Sequence, residues 1–144
     1  IRYPRDTVAE NPMQDGASCP PFVLGKANLL RGTPGKPDLA ILAYGTPVYT
    51  CAEALAELEA QGYRVALYDA RFAKPVDADL IESLVDAGVP ILTVEDHALA
   101  GGFGSAVLEA CNDRRLPTRD IHRLGLPMRW IYQNSRPKQL AEVG

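Results

Sequence analysis

The 144-residue chain has little excess charge of either sign: 15 Lys and Arg stand against 18 Asp and Glu, mixed along the sequence, for a formal net charge of −3. Nucleic acid and anionic membrane surfaces call for a basic stripe, so neither is expected as a partner. Long apolar runs are missing as well. No stretch approaches the ~18 apolar residues of a membrane span, and the N-terminus has no apolar core of a signal peptide, which predicts a soluble, cytoplasmic protein. Cysteine is scarce, and Cys19, Cys51 and Cys111 lie far apart without a C-x-x-C pair. That spacing excludes a disulfide scaffold and a zinc cluster and predicts reduced thiols. The two histidines, His97 and His122, have no second pair of ligands near them, so no metal site is expected.

What the chain has is 47% apolar residues, enough for one compact core. The first residues, "IRYPRD", read like the end of a strand and begin without methionine, which suggests a piece of something longer. From Asp6 to Pro21 proline and glycine interrupt any periodicity, so residues 1–21 are expected to be the end of a preceding domain and a linker. Residues 22–144 form the predicted domain. Its strands are placed at Phe22–Gly32, Leu39–Tyr44, Val65–Ala70, Pro90–Glu95 and Ile121–Pro127. Between them lie helical spacings: Thr46 as N-cap with Pro47 behind it and Gly62 as the stop; Asp77 as N-cap, Val76 and Ile81 as a hydrophobic staple and Gly88 as the stop; and a third helix from Gly104 or Ser105 to Leu116. A last helix starts in "SRPKQLAEVG". Apolar strands alternating with amphipathic helices predict a three-layer α/β/α sandwich with a mainly parallel sheet, preceded by an extended linker.

Candidate chemistry is sparse. "VEDHALAGGFGSAV" has the strand–glycine–helix order of a phosphate loop, but the dinucleotide fingerprint would need glycine where Val107 stands, and no G-K-[ST] follows. A glycine turn remains, with Gly101, Gly102, Gly104 and Ser105 either shaping a tight turn at a domain interface or offering backbone amides to an anion. Glu95, Asp96 and His97 fall at the carboxyl end of a strand, where open parallel sheets hold ligands; His97 is either an acid–base group or a loop residue facing a neighbouring domain. His122, within an apolar strand, is expected to be a hydrogen-bonded structural residue. In "DARFAKPVD", Asp69, Arg71 and Lys74 share one loop, as an ionic contact or a surface turn. "RYPR" carries Arg2 and Arg5, and arginine is the preferred fork for phosphate.

Taken in order, "RYPR", "GKANLLRG", "LAILAYGT", "DARFAKPVDADLI", "ILTVEDHALAGGFGSAVLE" and "GLP" resemble the C-terminal part of the 1-deoxy-D-xylulose-5-phosphate synthases, thiamine-diphosphate enzymes of the transketolase superfamily. The resemblance covers nearly the whole chain, from the last strand of the pyrimidine-binding domain through the transketolase C-terminal domain. It implies a homodimeric parent that uses thiamine diphosphate and Mg²⁺ to decarboxylate pyruvate and add the two-carbon unit to D-glyceraldehyde 3-phosphate. It also implies that cofactor, metal and catalytic glutamate belong to other domains, so that no catalytic residue lies in these 144 positions.

Arg5 corresponds to the family arginine that helps hold the triose phosphate. The chain departs from the family at Asp6, where glycine is usual, and at Met128, Gln133 and Asn134, where an acidic residue and a His-Gly pair are usual. Asn134 can supply the left-handed backbone that the glycine would give. Two other readings stand beside this one: the matching domain of a 2-oxoacid dehydrogenase β subunit, and a non-catalytic module that binds a small anion at the glycine turn.

Overall fold

A computed structural model describes residues 20–32 and 34–143. The elements run β1 (Asn28–Arg31), β2 (Leu39–Tyr44), α1 (Pro47–Ala60), β3 (Val65–Asp69), α2 (Ala78–Asp86), β4 (Ile91–Ala98), α3 (Phe103–Asp113), β5 (Ile121–Leu126) and α4 (Arg136–Val143). One sheet holds the strands in the order β1-β3-β2-β4-β5, parallel throughout except for β1, which runs antiparallel to β3. This is the expected mainly parallel α/β architecture.

Alternation along the strands sorts the core into two halves. From β2, Ile41 and Ala43 join Val65, Leu67 and Val94 against Val48 and Leu55 of α1. Ala40 and Leu42 point the other way and join Ile91 against Ile81 and Leu84 of α2 and Phe103, Val107 and Cys111 of α3. Helices cover both faces, which is why the central strands are apolar along nearly their whole length.

The helix ends follow local chemistry. Asp77 caps α2, its carboxylate accepting from the Leu80 amide at 3.2 Å, and Val76 packs on the cluster that contains Ile81. Three helices close in the same way. Tyr63 donates to the Leu58 carbonyl, Val89 to Leu84 and Leu116 to Cys111, each just after a left-handed residue, respectively Gly62, Gly88 and Arg115. These are Schellman closures, and Arg115 takes at φ +58° the position that glycine fills in the other two.

Several boundaries move. The first strand shrinks to Asn28–Arg31, because Gly25 at φ +69° and a turn bond from the Lys26 amide to the Val23 carbonyl break the extended run. α3 starts at Phe103 and stops at Asp113, before the left-handed Arg115. β4 continues to Ala98, which pairs with Leu126 of β5 beyond a register shift, so His97 lies in a strand and not in a loop. His122, expected to be a hydrogen-bonded structural residue, is exposed on edge strand β5. Among the described residues the left-handed non-glycine positions are Arg71 and Arg115, so Asn134 does not adopt that conformation. Its side-chain oxygen instead accepts from the Ser135 amide at 2.9 Å.

Candidate functional site

In this strand order the chain leaves β2 towards β3 on one side, whereas β4 leads to β5 on the other. The carboxyl ends of β2 and β4 therefore flank the switch point, the crevice in which such sheets hold ligands. The glycine turn lies at this edge.

The three polar residues Glu95, Asp96 and His97 do not converge. Glu95 is 3% exposed, and its two carboxylate oxygens accept from the amides of Phe103 (2.6 Å) and Gly104 (2.8 Å) at the start of α3. Here the helix N-terminus, an anion-binding end by its unpaired amides and its dipole, receives an anion from its own chain. Gly102 and Gly104 make room for that contact. A Cβ on Gly102 would overlap the Glu95 carboxylate, and one on Gly104 would lie 2.6 Å from the Thr93 hydroxyl oxygen. Gly101, at φ +74°, supplies the left-handed step before the helix and donates its amide to the Ser105 hydroxyl oxygen at 3.1 Å. Ser105 donates in turn to the Leu99 carbonyl (2.8 Å), and Arg123 from β5 donates to both Leu99 and Ser105 at 3.0 Å.

Asp96 turns to the opposite side of the crevice. One of its oxygens accepts from Arg136 of α4 at 2.9 and 3.2 Å and from the Thr46 hydroxyl at 3.5 Å. Thr46 keeps its place ahead of α1 but makes no side-chain bond to that helix, so its expected capping role passes to this cross-crevice contact. On the Glu95 side of the sheet the Tyr44 and Phe103 rings stack at 5.3 Å. His97 is exposed, and its Nδ1 lies 3.2 Å from the Ala98 carbonyl oxygen. Among the described residues no titratable side chain hydrogen-bonds to it.

Nucleophiles are equally muted. Burial pushes the Cys51 thiol up to about 11 and raises that of Cys111, so both are protonated near neutral pH. Among the described residues no three His, Cys, Asp or Glu side chains converge as metal ligands. With its first amides engaged by Glu95, the start of α3 is not open to a diphosphate. No helix of the described residues is long and apolar enough to cross a membrane. Arg5, Asp6 and Cys19 lie outside the described residues.

The sequence places Gly101, Gly102, Gly104 and Ser105 at this turn, and the structure brings them together with Glu95. Arg123 and Arg136 are missed there, because a side chain arriving from β5 or α4 leaves no local spacing to read.

A layered α/β domain with this switch-point edge matches known proteins along its length. The sequence pattern described as the C-terminal domain of transketolase matches residues 25–144. The chain belongs to the transketolase C-terminal domain family. Curated relatives named 1-deoxy-D-xylulose-5-phosphate synthase include one from Shouchella clausii, 39% identical over 145 residues, and one from Magnetococcus marinus, 41% identical over 148 residues. In both cases all of this chain is covered but only 22% of the relative, so the chain spans about a fifth of their length. Among solved structures, a split-gene transketolase described as an inactive β4 tetramer superposes with a TM-score of 0.67 at 27% identity, covering 85% of this chain and 39% of that one. A transketolase from Pichia stipitis, at 21% identity and a TM-score of 0.53 over 83% of this chain and 16% of that one, shares the fold.

Proposed function

We propose that the chain is the C-terminal domain of a thiamine-diphosphate- and Mg²⁺-dependent synthase that joins pyruvate to D-glyceraldehyde 3-phosphate, with loss of CO₂, to form 1-deoxy-D-xylulose 5-phosphate. The observation that carries this reading is the end-to-end match, at 39–41% identity, to relatives that share this one name. In it the chain supplies no catalytic group of its own. It supports domain contacts and the homodimer of a cytoplasmic enzyme, and Arg5 reaches the phosphate of the triose. Exposed apolar side chains favour an interface role: Trp130 and Tyr132 are 78% and 72% exposed, with Leu124 and Met128 nearby in sequence. Occupation of the α3 amides by Glu95 speaks against the alternative of an anion-binding module.

Arg5 provides the test. A dianionic phosphate favours a planar, permanently charged donor, and a hydrogen bond to a charged group contributes roughly 1.5–3 kcal/mol. Arg5→Ala in the longer protein implied here is expected to raise KM for glyceraldehyde 3-phosphate roughly 10- to 100-fold and to leave KM for pyruvate nearly unchanged. Steady-state kinetics with each substrate varied in turn decides; an unaltered triose-phosphate KM removes Arg5 from the site.

A further inference from the structure

Arg71 stands out on three independent counts. Its backbone is left-handed, φ +57°, although it is not glycine. Its side chain is only 5% exposed, with Nε 3.4 Å from Asp69. And its contacts reach back some fifty residues: Nη1 donates to the carbonyls of Pro21 (3.1 Å) and Pro20 (3.4 Å), and the guanidinium lies 4.5 Å from the centre of the Phe22 ring. Phe72, the next residue, meets Phe22 edge-on at 6.2 Å.

The same segment is tied down again a few residues later. Lys26 pairs with Asp79 (2.7 Å) and Asp77 (3.1 Å), and the Ala27 amide donates to Asp77 at 3.0 Å. Gly25 passes so close to Pro75 that a Cβ there would come within 2.9 Å of the ring. Because β1 is antiparallel to β3, with Asn28 opposite Asp69, this strap lies at the carboxyl edge of the parallel strands, the edge that also holds Glu95 and Asp96.

We propose that Arg71 is a latch: its strained backbone aims a buried guanidinium fork at residues 20–22 and holds the strap, residues 20–27, on the β3–α2 loop. A left-handed arginine costs conformational energy that glycine would not, and such strain is kept where the side chain has work to do. The fork suits that work, since two carbonyl acceptors and an aromatic face need a planar, multi-donor cation. Lysine offers neither geometry. The proposal stands on these contacts alone and does not depend on the family's reaction.

The test uses the 144-residue chain and two variants, Arg71→Gly and Arg71→Lys. Glycine relieves the backbone while removing the fork; lysine keeps a charge near Asp69 and loses the fork. The latch predicts that in both variants chymotryptic cleavage after Phe22 accelerates at least tenfold, as does hydrogen exchange at the Lys26 amide. It also predicts that the urea midpoint of Arg71→Gly stays level or rises. Unchanged cleavage and exchange in both variants overturn the proposal. So does a fall in the Arg71→Gly midpoint that accounts for the faster cleavage, because Arg71 would then act as an ordinary core support.

Discussion

Glu95 decides what the glycine turn can do. A buried carboxylate needs partners for its charge, and two helix amides at 2.6 and 2.8 Å supply them where the helix dipole adds to the attraction. Glu95→Gln keeps the shape, removes the charge and turns an NH₂ group towards a backbone donor. It is expected to lower unfolding free energy by about 2 kcal/mol, within the range for charge-assisted bonds, as read from urea melts. An unchanged midpoint would mean that the amides find another partner. The glycines were legible at this scale, because three in four positions before a helical spacing announce a tight turn. Their reason was not. Glu95 stands eight and nine residues before the amides it accepts from, too far for any local capping pattern, and only the close approach of β4 to α3 joins them.

Among the elements, α2 is tied to its neighbours by charge. Asp79 in its first turn pairs with Lys26 of the strap and, at 2.8 Å, with Arg114 at the end of α3; Arg114 also pairs with Glu82. The Lys26 and Arg114 hydrogen bonds hold the Asp79 carboxyl down to about 2 from an ordinary 3.8. A carboxyl depressed on folding adds stability above its unfolded pKa and loses it as pH falls through the folded value. Asp79→Asn is therefore expected to melt earlier than the parent chain at neutral pH, with the gap closing between about pH 4 and about pH 2. Thermal melts across that range check this; a gap constant with pH would show that the side chain acts through packing. Strand and helix identities were readable here because periods of 2 and 3.6 residues are local. The ends were not always so. Arg115 closes α3 in a conformation that its side chain does not advertise, and β4 runs past Glu95 because β5 pairs with it, a contact distant in sequence.

At the scale of the molecule, the sheet puts the strap, the glycine turn and the Thr46–Asp96–Arg136 contact on one edge. The mainly parallel sandwich was legible from the alternation of apolar strands and amphipathic helices, whereas the order β1-β3-β2-β4-β5 was not, since strand neighbours in space leave no mark in the chain. At this edge Glu95 accepts from the α3 amides, Asp96 from Arg136, and Ser105 from Arg123, which accords with the proposal that the reacting groups lie in other domains. The most direct test replaces the C-terminal 22% of the Shouchella clausii synthase, the part matched by this chain, with the full 144-residue chain and measures 1-deoxy-D-xylulose 5-phosphate formed from pyruvate and glyceraldehyde 3-phosphate. The account predicts turnover by the chimera and none by the truncated synthase or by this chain alone. A folded chimera that binds thiamine diphosphate yet forms no product would contradict it.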